Sequence, residues 1–62
     1  MKRNQLIKHL ENHGCIFKRE GSNHSIYMNS KTRKRTAVPR HTEIKNTLCN
    51  DICKQLDAPK ID

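Results

Sequence analysis

Residues 21–27, Gly-Ser-Asn-His-Ser-Ile-Tyr, combine a tight turn with the start of a strand, and the other predicted elements are arranged around them. Glycine and asparagine tolerate positive φ, and serine bonds to its local backbone, so the first three positions favour a turn. The turn consists of Gly21, Ser22 and Asn23, and it presents His24 at the first position of the strand. Strand alternation then places His24, Ile26 and Met28 on one face, and Ser25, Tyr27 and Asn29 on the other.

Two more strands flank the one that begins at His24. Residues 15–20 start with apolar bulk, including Phe17 as an expected core residue, and end in charged side chains that run into solvent. Residues 35–38 form a short strand that ends at Pro39, because proline cannot donate to a ladder hydrogen bond. We therefore expect three short antiparallel strands.

Helical spacing of apolar residues predicts one helix before the strands and one after them. The first covers residues 4–13 and stops at Gly14, which can take the left-handed conformation that closes a helix. The second begins between Thr42 and Thr47 and ends at Ala58-Pro59. Its predicted core stripe is Leu48, Ile52 and Leu56, with Cys49 and Cys53 beside it.

This order predicts a single α+β domain over residues 1–62, α-β-β-β-α. Two helices would pack on one face of a three-stranded antiparallel sheet and leave the opposite face open to a partner.

Charge is the strongest signal in the composition. The 62 residues include 13 Lys and Arg against 6 Asp and Glu, a net charge of +7, and the sequence pI is about 9.8. Such a field raises the local concentration of anionic partners, so nucleic acid, an acidic protein and a membrane surface are candidates. A surface that is merely solubilising is the alternative. Only 3% of the residues are aromatic, so we expect no buried small-molecule cofactor in addition to the core.

The cysteines and the hydropathy pattern bear on location. The chain has three cysteines, an odd number that does not suggest a disulfide framework. No apolar run has the length of a signal peptide core or a membrane span. We expect a cytoplasmic chain with reduced thiols and no membrane contact, and a domain this small is expected to gain stability from a partner.

His24 is the candidate catalytic residue. An imidazole titrates near neutral pH and can accept a proton from an RNA 2′-hydroxyl, while neighbouring cations stabilise the charge that develops on the phosphate. The alternative is a solvated turn histidine with no chemical role. His41 is either a second proton carrier or a loop residue that bonds to backbone. His9 and His13, like the cysteines, lack the remaining spacing of a zinc site, so no metal is expected.

The basic residues are the candidate RNA contacts. Arg40 is a candidate phosphate ligand because a guanidinium binds two oxygens at once. The other candidates cluster in the first strand and around the second turn, which connects the second and third strands. A solvated hairpin tip with no RNA contact is the alternative there. These residues are Lys18, Arg19, Lys31, Arg33, Lys34 and Arg35. With few aromatic residues, contacts to RNA shape and phosphate are favoured over stacking on bases.

Several segments in succession resemble one known family. They are Leu6-Ile7-Lys8-x-Leu10-Glu11-x-x-Gly14, Gly21-x-x-His24-x-Ile26-Tyr27, Thr36-Ala37-Val38-Pro39-Arg40-His41 and Ile52-Cys53-Lys54-Gln55-Leu56. Their order over nearly the whole chain is similar to that of the HicA toxins of bacterial toxin–antitoxin pairs. Many HicA toxins have Gly-Ser-His with no residue between Ser and His, whereas Asn23 stands there in this chain.

The resemblance implies a fold like that of double-stranded-RNA-binding domains. It also implies a metal-independent endoribonuclease that degrades mRNA through the histidine matching His24, as the toxin of a type II pair, and a HicB-type antitoxin that covers this histidine. A non-catalytic RNA-binding module of the same fold and a protein that only binds an acidic partner remain the alternatives.

Overall fold

The computed structural model describes residues 1–61 and has the predicted order of elements. They are α1 (Arg3–Asn12), β1 (Cys15–Glu20), β2 (His24–Asn29), β3 (Arg35–Pro39) and α2 (Asn46–Gln55). The strands form one antiparallel sheet in the order β1-β2-β3. Leu6 and Leu10 of α1, Ile52 of α2 and Tyr27 of the sheet belong to a single core. The predicted α+β fold, with both helices on one face of the sheet, is confirmed.

The first helix ends as the sequence predicts. Its C-cap is His13, and Gly14 follows with φ of +84°, a conformation that glycine adopts without steric cost. The carbonyl of Gly14 then accepts hydrogen bonds from the backbone N–H (3.0 Å) and the hydroxyl (2.8 Å) of Ser30. These hydrogen bonds connect the end of α1 to the C-terminal end of β2, the end opposite His24.

The buried stripe of the second helix differs from the predicted one at Leu48. Its buried residues within the helix are Cys49, Ile52 and Cys53, whereas Leu48 is 40% exposed. The prediction that Leu48 belongs to the core stripe is therefore wrong. Ile52 and Leu56 are buried as predicted, at 2% and 0% exposure, and Cys49 and Cys53 are buried beside them.

A β-bulge in β1 changes which side chains reach each face. Phe17 lies opposite Tyr27, but the next pair is Arg19 with Ile26, so Lys18 is an extra residue without a partner. An extra residue reverses the alternation that follows it. Arg19 therefore shares the open face with Ile26, and Glu20, opposite Ser25, shares the helix-covered face.

The two faces of β2 follow the predicted alternation. Ser25, Tyr27 and Asn29 are buried beneath the helices. On the other face His24 is exposed, Ile26 is half-buried and Met28 is 3% exposed, so that face is accessible mainly at the end that carries His24. Phe17 lies at the edge of the helix side with its ring 5.8 Å from that of Tyr27, edge to face. It is 51% exposed, so the prediction that it is a core residue is wrong.

Asn29 links the turn between β2 and β3 to the end of α2 by hydrogen bonds. Its side-chain amide donates to the carbonyl of Leu56 at 2.7 Å, and its Oδ1 accepts from the backbone N–H groups of Lys31 and Thr32 at 2.8 and 3.2 Å. Asn29 is 6% exposed, so all three hydrogen bonds satisfy groups that have little access to water.

Candidate active site

His24 projects from the open face at the end of the sheet. It is the first residue of β2, it pairs with Pro39 of β3, and its side chain is exposed. Its carbonyl accepts a hydrogen bond of 2.6 Å from the backbone N–H of Gly21, which closes the turn. The imidazole is therefore carried on a backbone that is paired on both sides and is open to a substrate.

The turn before His24 needs its glycine for a different reason from the predicted one. In residues 1–61 positive φ occurs at Gly14, Arg33 and Asp57, and not at Gly21 or Asn23. A Cβ at Gly21 would instead lie 3.2 Å from the carbonyl oxygen of His24, closer than ordinary carbon–oxygen contact. This close approach of backbone to backbone favours glycine, because a side chain there would push the carbonyl of His24 aside by a few tenths of an ångström.

Three of the predicted RNA contacts surround a shallow cavity beside His24. The cavity measures about 340 Å³, has Ile26 and Ala37 among its lining residues, and is flanked by cations from both neighbouring strands. We call it the cationic depression; it is lined by Lys18, Arg19, Ile26, Arg35, Thr36 and Ala37. Ile26 is two residues from His24 on the same face, roughly 7 Å along the strand.

The cations of this depression are available to an anion. In the described part of the chain, none of Lys18, Arg19 and Arg35 forms an ion pair with a carboxylate. Cations that are not neutralised within the chain make a field that favours phosphate on this face. The bulge contributes to this arrangement, because consecutive Lys18 and Arg19 both line the depression.

The remaining cations of the second turn lie elsewhere. Lys31 and Arg33 are exposed in the turn between β2 and β3, at the opposite end of β2 from His24, roughly 17 Å for five residues of strand. Lys34 forms an ion pair of 3.2 Å with Asp57 beyond α2. The predicted basic set is thus divided into a group near His24 and a group at the far end of the sheet.

A hydrogen-bonded network that the sequence analysis did not anticipate lies beneath His24. Arg3 of α1 donates through Nε to the carbonyl of Pro39 at 2.8 Å and through Nη2 to the hydroxyl of Ser25 at 2.9 Å. The Ser25 hydroxyl in turn donates to Oε1 of Glu20. Ser25, the residue after His24, is 3% exposed, so these bonds fix the backbone next to the imidazole.

The same network includes Arg40. Its Nη1 lies 2.8 Å from Oε2 of Glu20, and its Nη2 donates to the carbonyl of Ser22 in the turn. The hydrogen bond from Ser25, together with the hydrogen bond and charge of Arg40, holds the pKa of the Glu20 carboxyl below its usual value, against a smaller opposing effect of desolvation. Arg40, predicted as a phosphate ligand, here binds protein groups. We call these residues the Glu20 network: Arg3, Glu20, Ser22, Ser25 and Arg40.

The other histidines and the cysteines take no part in the hydrogen bonds of the Glu20 network among residues 1–61. His9 Nε2 is 2.7 Å from the carbonyl of Pro59, and His13 Nδ1 is 2.8 Å from the carbonyl of His9. His41 is exposed, and no hydrogen bond to its ring is found among residues 1–61. All three cysteines are buried, and burial raises the pKa of each thiol, which makes them poor nucleophiles.

Comparison with known families agrees with this architecture. The family model described as HicA toxin of bacterial toxin–antitoxin pairs matches residues 3–58. The chain belongs to the HicA toxin family. The match runs from the first residue of α1 past the end of α2, so the HicA region includes the turn, His24 and the cationic depression. No curated protein and no solved structure matches the chain. Between residues 1 and 61, neither helix is long and apolar enough to span a bilayer.

Proposed function

We propose that this HicA toxin is a metal-independent endoribonuclease that cleaves mRNA, with His24 as its general acid or base. The observation that carries the proposal is the position of His24. It is exposed on the open face, and Ile26, the next residue of β2 on that face, lines the cationic depression. The cations of the depression, Lys18, Arg19 and Arg35, have no carboxylate partner among residues 1–61.

The chemistry needs only these groups. His24 as a base takes the proton of a ribose 2′-hydroxyl, whose oxygen then attacks the adjacent phosphorus. The bond from that phosphorus to the 5′-oxygen of the next nucleotide breaks, and the 5′-oxygen takes up a proton from the imidazolium or from water. Lys18, Arg19 and Arg35 bind the phosphate oxygens and stabilise the negative charge that develops on them. Because DNA lacks the 2′-hydroxyl, the same site distinguishes RNA from DNA.

The neutralising partner in this proposal is a HicB-type antitoxin that covers His24. The sheet supports this idea because its face opposite the helices is open. Binding to the native toxin would block substrate and also stabilise a domain with a small core. The complex should therefore be inactive, and the toxin within it should resist unfolding more than the free toxin does.

The experiment that tests the proposal compares His24→Ala with His13→Asn. His13 is an exposed histidine at the end of α1, close to the far end of β2, and serves as the matched control. RNA cleavage should vanish in His24→Ala while RNA affinity and folding stay close to wild type, and His13→Asn should cleave as wild type does. Cleavage by His24→Ala at an undiminished rate would refute the role of His24.

A non-catalytic RNA-binding module is the second candidate. The cations Lys31 and Arg33 at the far end of β2 favour it, because they can bind phosphate without regard to His24. In that case purified wild-type protein would bind RNA with strong salt dependence, yet RNA would stay intact over long incubation.

A further inference from the structure

The bulge at Lys18 determines the face of the sheet on which Glu20 lies. With regular alternation after Phe17, Glu20 would point to the open face, beside the cations. The extra residue turns it to the other side, where it lies opposite Ser25. A carboxylate that would have neutralised the cationic depression is thus removed from it and placed beneath the turn that carries His24.

In that place Glu20 joins the segments on both sides of His24. One carboxylate oxygen accepts from the hydroxyl of Ser25, directly after the histidine, and the other is 2.8 Å from Nη1 of Arg40. Arg40 also donates to the carbonyl of Ser22, two residues before the histidine. The backbone of His24 is therefore held from both directions through a single carboxylate, while no hydrogen bond to its ring is found among residues 1–61.

We propose that Glu20 is a positioning residue for His24, and that Arg40 supports RNA cleavage by holding the turn through Glu20 rather than by binding phosphate. This inference rests on the proposed ribonuclease function. An exposed imidazole has no packing of its own to fix its direction, so its alignment depends on the backbone that carries it. Misplacement of a catalytic group by a fraction of an ångström or more lowers the rate of the chemical step without weakening substrate binding.

The groups that face Glu20 come from three other parts of the chain. They are Arg3 from α1, Ser25 from β2 and Arg40 after β3. Each donates a proton or carries positive charge, which is the environment that keeps a carboxylate ionised and in place. No second carboxylate is found in this network in the described part of the chain.

The matched test compares Glu20→Gln with Glu43→Gln under single-turnover conditions on one labelled mRNA fragment. Glu43 is also an exposed carboxylate, 63% against 47% for Glu20, and its ion pairs are to Lys2 and the N-terminus rather than to a residue of the Glu20 network. Glutamine keeps an oxygen for Ser25 but cannot pair with Arg40. We expect Glu20→Gln to lower the cleavage rate about tenfold or more with an RNA affinity within about twofold of wild type, and Glu43→Gln to change neither.

A double-mutant cycle tests the assignment of Arg40. If Arg40 acts through Glu20, the losses of rate in Glu20→Gln and Arg40→Gln will not add in the double variant, because both remove the same support. If Arg40 binds phosphate, Arg40→Gln alone will weaken RNA binding and reduce its salt dependence, and the two losses will add. That result would overturn the proposal for Arg40.

Wild type and His24→Ala in the same assay keep the two proposals distinguishable. A wild type that does not cleave RNA refutes the ribonuclease function. A cleaving wild type with an unaffected Glu20→Gln refutes the positioning role alone. Should Glu20→Gln fail to fold, amide hydrogen exchange of Gly21 in wild type and Arg40→Gln decides. Because Arg40 holds the turn through the carbonyl of Ser22, the Gly21 N–H should exchange at least about tenfold faster in Arg40→Gln than in wild type, and an unchanged rate would overturn the proposal.

Discussion

Arg19 lies directly opposite Ile26, one residue out of step with the neighbouring pair of Phe17 and Tyr27. The displaced residue between them is Lys18. This single irregularity places two consecutive cations on the open face beside His24 and turns Glu20 toward Ser25 on the other. The charge of the candidate site and the support beneath it thus have a common structural origin.

Deletion of Lys18 should therefore be tolerated. Removing the extra residue leaves the pairs on both sides of it in register and on the same faces, so the ladder becomes regular. We expect a folded protein that keeps the Glu20 network and loses one cation. Deletion of Ala37 from the regular β2–β3 ladder is the control, because it shifts every later pair to the wrong face. Urea denaturation of both variants checks this, and unfolding of the Lys18 deletion would contradict the bulge.

Binding of RNA to the cationic depression predicts a specific salt dependence. Replacing Lys18, Arg19 and Arg35 together by glutamine should reduce the slope of log K against log salt by about 0.7 for each lost contact with single-stranded RNA. Lys34→Gln should have less effect, since Lys34 already pairs with Asp57 at 3.2 Å. Titrations at several salt concentrations measure the slopes. An unchanged slope in the triple variant would place the RNA elsewhere.

The core of α2 gives a matched pair of stability predictions. Ile52 is 2% exposed and Leu48 is 40% exposed. Ile52→Ala should lower the free energy of unfolding by about 2–5 kcal/mol, since it removes buried methylenes and leaves a cavity. Leu48→Ala should lower it by less than about 1 kcal/mol. Urea denaturation of both variants measures the two losses. If the free Ile52→Ala protein does not fold, both variants are compared in complex with the partner. Equal losses would refute the observed orientation of α2.

Acid should weaken the fold through Glu20 and Glu43. Both carboxyl groups have a pKa lowered in the folded state, Glu20 mainly by the hydrogen bond from Ser25 and Glu43 mainly by that from Lys2. The unfolded chain then takes up protons first as pH falls, so the stabilisation is present above the ordinary glutamate pKa of about 4.3 and is lost below it. Urea midpoints between pH 7 and 3 should fall less steeply in Glu20→Gln than in wild type. Parallel curves would contradict a lowered pKa of Glu20.

Local patterns in the sequence were sufficient for the order of elements and for the exposure of His24. The turn, the alternation of β2 and the helix stop at Gly14 depend on neighbours along the chain. The bulge at Lys18 could not be read from those neighbours, because it depends on which residue of β2 each residue of β1 meets. For the same reason the Glu20 network went unpredicted: Arg3 and Arg40 reach it from distant segments. Only one feature of the sequence indicated this network: strand alternation places Ser25, a polar residue, on the helix-covered face directly after the exposed His24.

The division of the basic residues has a similar explanation. The cluster from Lys31 to Arg35 is continuous in sequence, so it reads as one patch. In the sheet, Arg35 belongs to β3 and lines the depression, while Lys31 and Arg33 lie in the turn and Lys34 pairs with Asp57. The direction of β3 and the position of α2 separate these residues in space. The spacing of charges along the sequence predicts neither.

Chemical rescue of the His24→Ala variant tests whether the imidazole of His24 carries the proton in RNA cleavage. The rate of cleavage of a defined RNA is measured with and without added imidazole, which can enter the space left on the open face and carry the proton instead. We expect no cleavage by the variant alone and a rate that rises with imidazole concentration. Cleavage by His24→Ala at the wild-type rate, with no response to imidazole, would show that the chemistry lies elsewhere in the protein.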